Sequence, residues 1–121
     1  MISGTVIALH ALIKVSFCLT GNSRVEREFV IDIGFTGFLT LPLQEIETLG
    51  LDFSHRTSAH LADGSEIQIP IYDAGILWNG REIDVRVPGT GQRPLLGTAL
   101  LENHALWVQF AEFGAVEIED L

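Results

Sequence analysis

Between Ile7 and Leu19 every odd position is apolar: Ile7, Leu9, Ala11, Ile13, Val15, Phe17 and Leu19. The even positions between them include His10, Lys14 and Ser16. A period of two places alternate side chains on opposite faces of an extended backbone, so the segment predicts one long half-buried strand or a bent pair. Gly21-Asn22-Ser23 then reads as a turn. A second strand follows from Arg24 to Ile33, polar at first and wholly apolar at Phe29-Val30-Ile31. These two strands are expected to form a hairpin. The period then changes. Pro42, Ile46 and Leu49 share one helical face, and Gly50 suits the residue just past a helix end, which predicts a helix of about two turns.

Strand signals return from His60 to Ile71 around Asp63-Gly64, a dipeptide favoured in tight hairpins. Ile76-Leu77-Trp78 and Ile83 to Val87 flank Asn79-Gly80, which predicts a second hairpin. Gly89 to Gln92 reads as a loop. Leu95-Leu96-Gly97 leads into a short helix from Thr98 to Glu102, stopped near Asn103. Leu106 to Phe110 and Ala115 to Ile118 close the chain as strands around a turn at Phe113-Gly114. Many short strands with one or two short helices make an all-β barrel or sandwich with helical insertions.

The length of 121 residues fits one domain spanning 1–121, and 47% hydrophobic residues are enough for a core. The formal charge of −9 argues against nucleic acid or an anionic membrane as partner, since both select basic surfaces. No stretch reaches the roughly 18 apolar residues of a spanning helix. The N-terminus carries no basic segment of the secretory kind. Cys18 is the one cysteine, so no internal disulfide forms. These features predict a soluble, cytoplasmic protein. His10, His55, His60 and His104 show no metal-ligand spacing, so no metal is expected. Trp78 and Trp107 read as core or interface residues.

One residue is out of keeping with its surroundings. Asp32 sits in Phe29-Val30-Ile31-Asp32-Ile33-Gly34-Phe35-Thr36-Gly37-Phe38, a mostly apolar run. Burying a carboxylate is expensive unless it is paired or hydrogen-bonded. Gly34 and Gly37 permit a tight turn that aims backbone N–H groups at it. Taken alone, the window reads equally well as an Asx-type turn closing a strand. Leu61-Ala62-Asp63-Gly64-Ser65 alone is a hairpin tip, and Arg93 to Leu101 alone is a strand running into a helix.

In this order, the three stretches resemble the retropepsin-like aspartic proteases, in particular the small stand-alone bacterial ones. The matching segments are Val30-Ile31-Asp32-Ile33-Gly34, the hairpin around Asp63-Gly64, and Leu95-Leu96-Gly97. Phe35-Thr36-Gly37-Phe38-Leu39-Thr40-Leu41-Pro42 also resembles the bacterial relatives. The resemblance implies a closed β-barrel with a flap hairpin and a homodimeric active site. It implies that Asp32 is the catalytic carboxylate and that Gly34 turns the chain and offers it an N–H. Phe35, Ala62, Asp63, Gly64 and Ser65 would contact a peptide or protein substrate. Ile33, Thr36, Leu95, Leu96 and Gly97 would support the site. No cofactor is implied. Met1 to Val6 and Val116 to Leu121 would supply interface strands.

Aspartic-protease chemistry needs two carboxylates sharing a proton, and this chain has one Asp in such a frame. A second copy would supply the other. The sequence departs from the family at Ile33, where the family has a Thr or Ser hydroxyl that links the two active-site loops. Loss of such a buried partner costs about 1–3 kcal/mol, offset where two isoleucines pack together. Thr36 is the nearest substitute hydroxyl. The alternative expectation is a catalytically impaired dimer that binds peptide or protein. A third is an unrelated monomeric β-barrel.

Overall fold

The computed structural model describes residues 1–121. The alternation that begins at Ile7 is cut by a two-residue turn at Ala8 and Leu9. It joins β1 (Ile2–Ile7) to β2 (His10–Cys18) as an antiparallel hairpin. The bent pair is therefore the correct alternative. The buried phase also switches at the turn: Val6 is buried on β1, and Ala11, Ile13, Val15 and Phe17 are buried on β2. Ile7 and Leu9 are exposed, Leu9 by 74%. Ala8 and Leu9 take positive φ values of 51° and 66°, the geometry a two-residue hairpin demands. Neither residue type announces such a turn, so the alternation looks unbroken in the sequence.

A 3₁₀ turn at Thr20–Asn22 leads to β3 (Arg24–Ile31), which pairs antiparallel with β2 from Leu12↔Val30 to Cys18↔Arg24. The strand stops at Ile31, not Ile33, because the chain turns at Asp32. After β4 (Leu39–Thr40) comes α1 (Leu43–Leu49), which begins after Pro42 and ends at Gly50. Gly50 donates its N–H to the carbonyls of Ile46 and Glu47. Ile46 and Leu49 are the buried face of α1.

A long antiparallel arm follows, β5 (Asp52–His60) with β6 (Glu66–Trp78), and β6 turns at Asn79-Gly80 into β7 (Arg81–Pro88). The hairpin at Asp63-Gly64 is present, but its first strand starts eight residues before His60. Most of Asp52 to His60 is polar and exposed, so it lacks the alternation by which a strand is recognised. The chain closes with β8 (Leu95–Leu96), α2 (Thr98–Leu101), β9 (His104–Val108) and β10 (Ala115–Asp120).

The strands form one curled sheet in the order β4-β8-β3-β2-β1-β10-β9, with β6 branching from β2 and carrying β5 and β7. Leu41, just past β4, bridges in parallel to Gly89, just past β7, with the Leu41 N–H on the Pro88 carbonyl at 3.2 Å and the Thr90 N–H on the Leu41 carbonyl at 2.9 Å, so the path β4-β8-β3-β2-β6-β7 curls back on itself as the expected barrel does. Its concave side holds one apolar cluster, with Phe17 and Phe29 at 6.0 Å between ring centroids. Each fully buried side chain of this size contributes about 1.5–3 kcal/mol. Trp78 belongs to this core, whereas Trp107 is exposed on β9 opposite Glu117. No helix is long and apolar enough to cross a membrane.

The terminal strands pair with each other within the chain. β1 lies between β2 and β10, and β10 lies between β1 and β9. The β1–β10 ladder runs from Ile2↔Ile118 to Thr5↔Ala115, β1 meets β2 only at Thr5, Val6 and Ile7, and β10 meets β9 from Val116 to Asp120. Gly4 is what permits β1 to come so close: a Cβ there would stand 1.9 Å from the Leu12 carbonyl oxygen and 2.9 Å from Ile13 Cδ1. Gly4→Ala is expected to lower stability by about 1–3 kcal/mol, the cost of forcing atoms into a packed site. Gly75→Ala, whose Cβ would meet the flexible end of Glu82 at 3.4 Å and Cys18 atoms at 3.7 and 3.8 Å, all ordinary contact distances, should change it little. Urea denaturation of the two variants checks the contrast.

Candidate active site

Asp32 is the first residue beyond β3. The parallel pairing of β3 with β8 matches Val30 with Leu95 and Ile31 with Leu96. It continues for one more bond, from the Asp32 N–H to the Leu96 carbonyl at 2.9 Å. The chain then turns sharply, with the Phe35 N–H donating to the Asp32 carbonyl at 3.1 Å. The turn brings the Gly34 N–H to Asp32 Oδ1 at 2.9 Å. Asp32 is half-buried, and its second oxygen takes no hydrogen bond within the chain. The carboxylate therefore sits on a rigid backbone with one oxygen oriented and the other open.

The loop is clamped at both ends. β8 pairs on its other side with β4, matching Leu96 with Leu39 and Leu95 with Thr40. The start of α2 adds further bonds: Gly97 N–H to the Phe38 carbonyl at 2.9 Å, Thr98 N–H to the Phe35 carbonyl at 2.8 Å, and Ala99 N–H to the Gly37 carbonyl at 3.2 Å. A Cβ on Gly97 would lie 2.3 Å from the Gly37 oxygen and 2.5 Å from the Phe35 ring, so only glycine fits this crossing. The Phe35 ring also lies against Gly37. Phe35 thus braces the loop as well as facing the adjoining cleft.

Asp32, Gly34, Phe35, Leu95, Leu96 and Gly97 are accordingly brought together. Ile33, at the tip of the turn, is 72% exposed. Thr36 is exposed and its hydroxyl makes no hydrogen bond within the chain.

The hairpin tip forms a separate unit. Leu61 N–H donates to the Ser65 carbonyl at 2.8 Å and Gly64 N–H to the Leu61 carbonyl at 3.0 Å. Asp63 Oδ1 accepts the Ser65 hydroxyl at 2.6 Å and the Ser65 N–H at 2.9 Å. Ala62, Asp63, Gly64 and Ser65 are exposed and make no hydrogen bond to the Asp32 turn.

A cleft of about 270 Å³ adjoins the Asp32 turn, and sequence reasoning missed most of it. Its apolar walls are Phe35, Phe38, Ile71 and Pro88, and its polar lining comes from His55, Thr57 and Arg86. These residues lie far apart in sequence and meet through strand register. His55 pairs with Ile71, and Ile71 with Pro88, which makes one row across β5, β6 and β7. The only sequence signal was the polar phase of each strand. The histidines form no metal centre: no group of three His, Cys, Asp or Glu residues is placed to hold an ion.

No family model matches the chain, and no curated protein matches it in sequence. Solved structures do match it in shape. A retropepsin-like aspartic protease from Rickettsia conorii is 16% identical, with 98% of this chain and 94% of that one covered and a TM-score of 0.52. EIAV protease complexed with the inhibitor HBY-793 is also 16% identical, with 77% of this chain and 86% of that one covered and a TM-score of 0.54. The chain has a retropepsin-like fold.

The Ser65 hydroxyl, and after it the Ser65 N–H, hold the Asp63 carboxyl below its ordinary value of 3.8. A lowered value means that the tip is stabilised while Asp63 is ionised. That contribution is present above pH 3.8 and is lost as pH falls through the lowered value. The side-chain carboxyl resonance of Asp63 in an NMR titration should therefore have its midpoint below 3.8, and Ser65→Ala should move it upward. A wild-type midpoint at or above the ordinary value would contradict the tip geometry.

Proposed function

We propose that this chain is an aspartic endopeptidase that works as a homodimer, with Asp32 of each copy forming the catalytic pair. The observation that carries the reading is the Asp32 turn itself. A half-buried carboxylate is oriented by Gly34, has one oxygen open, and stands beside an isoleucine that is 72% exposed. A large aliphatic side chain at the tip of a rigid turn is an unfinished surface, and the same turn of a second copy would cover it. The retropepsin-like fold supports the same arrangement.

The chemistry follows from bringing two such turns together. Two carboxylates within hydrogen-bond reach cannot both ionise, so they share one proton. The ionised Asp32 takes a proton from a water lying between them, and that water's oxygen attacks the peptide carbonyl carbon. The protonated Asp32 donates to the carbonyl oxygen, giving a tetrahedral diol. Collapse of the diol breaks the C–N bond, and a proton passes from the pair to the leaving amine. The substrate would lie extended beneath the β5–β6 hairpin, held by strand-like backbone hydrogen bonds with side chains in flanking clefts.

A second reading, a dimer that binds peptide without cleaving it, is favoured by one residue. Ile33 has no hydroxyl to bond across a twofold axis, and its bulk bears on the spacing of the two carboxylates. A misplacement of about 1 Å is enough to cost about 100-fold in rate.

Peptide cleavage at mildly acid pH by the wild type, Asp32→Asn and Ile33→Thr separates the readings. The endopeptidase predicts turnover in the wild type and a loss of at least about 100-fold in Asp32→Asn. Turnover unchanged in Asp32→Asn sinks the assignment. An inactive wild type that gains activity only on Ile33→Thr establishes the binding dimer instead.

A further inference from the structure

The cleft beside the Asp32 turn has a chemical character of its own. In a chain of net charge −9 with only 7 Lys and Arg residues, the cationic side chain in this cleft is Arg86. The walls formed by Phe35, Phe38, Ile71 and Pro88 offer an apolar lining for a carbon stem. Arg86 stands one step along the sheet from the His55–Ile71–Pro88 row, on the same face as Pro88. Its Nε lies 3.7 Å from Asp73 Oδ1, an ion pair too long for a hydrogen bond. The planar guanidinium therefore keeps its N–H groups for another acceptor. His55 Nδ1 sits 2.9 Å from the Ser54 hydroxyl. With Ser54 donating, the proton lies on Nε2, which makes it a second donor. Thr57 adds a hydroxyl.

From this we infer that the cleft is a specificity subsite for an acidic side chain, glutamate above all, whose methylenes lie against the apolar walls while its carboxylate meets Arg86. The inference rests on the reading of the adjoining turn as a peptide-processing site and names the substrate feature that site selects. Glutamate suits the cleft better than aspartate because its longer stem covers more of the apolar wall. Glutamine keeps the shape but loses the charge-assisted bond. Lysine brings a like charge to Arg86. Asp73 is the acidic group against Arg86, so it competes with the ligand and weakens the preference. In a homodimer the subsite occurs twice, and the acidic preference would fall on both sides of the bond at the catalytic pair.

The test is a positional-scanning decapeptide library with a non-hydrolysable reduced amide at its centre, passed over immobilised wild-type protein and read by mass spectrometry. The expected result is enrichment of glutamate over glutamine by about fivefold at one position, or at two positions either side of the centre. That is the size of one partly exposed charged contact. Arg86→Glu, a change at a largely exposed side chain, should reverse the selection toward lysine and arginine, and Asp73→Asn should strengthen it. Retention without acidic enrichment, an unchanged profile in Arg86→Glu, or no retained peptide overturns the inference. Cleavage of casein by the wild type reads the endopeptidase proposal separately. Glutamate enrichment without casein cleavage leaves the subsite standing and removes the catalytic assignment, and cleavage without enrichment does the opposite.

Discussion

Between residues 95 and 99 the backbone runs beside both the strand that enters the carboxylate turn and the strand that leaves it. Leu95 and Leu96 pair in parallel with Val30 and Ile31 and antiparallel with Leu39 and Thr40. The next three N–H groups go to carbonyls within the turn itself. A loop of seven residues, from Asp32 to Phe38, is thus held by main-chain bonds at both ends and across its middle. Main-chain bonds do not depend on rotamers, which makes this a stiffer mount than side-chain contacts give. The crossing needs glycine at 97, since a methyl group there would meet two carbonyl oxygens and a ring. The position of Asp32 relative to the core is a consequence of that crossing.

The remaining elements differ in how firmly they are tied to it. Phe35 belongs to the clamped loop and lines the adjoining cleft, so one wall of the cleft is as rigid as the carboxylate mount. The opposite lining comes from β5, β6 and β7, and β5 pairs only with β6. The β5–β6 arm ends in a tip stabilised by its own local bonds, with no hydrogen bond to the turn. Across the cleft, Ile71 is buried and β6 is paired with β2 and β7, so most of that side is as fixed as the Phe35 wall, and only β5 is held along one edge.

The sequence was informative wherever a chemical contrast was local. An aspartate among Phe29, Val30 and Ile31, and the Leu95-Leu96-Gly97 run, are visible in a window of a few residues, and the structure brings these two windows into register. The Asp63-Gly64 and Asn79-Gly80 hairpins were legible for the same reason. Failures came where the decisive fact was not local. Ile7 and Leu9 kept the alternation going through a turn made by two residues that rarely adopt positive φ. β5 is polar and mostly exposed, so nothing in its own pattern marks it as a strand. The cleft draws on residues from 35 to 88, and only the register of three strands unites His55, Ile71 and Pro88. The pairing of β1 with β10 joins the two ends of the chain, which no short window can show.

That last pairing has a bearing on when the molecule becomes complete. The β1–β10 ladder, from Ile2↔Ile118 to Thr5↔Ala115, forms within one chain and needs no neighbour. Under the proposed homodimer, folding and association would then be separable events. Chains that exchange terminal strands often have no stable folded monomer, so dilution unfolds them. On that proposal, dilution would release folded subunits, each with one Asp32. The proposed pair of carboxylates would then be set by protein abundance, through the association of already folded subunits.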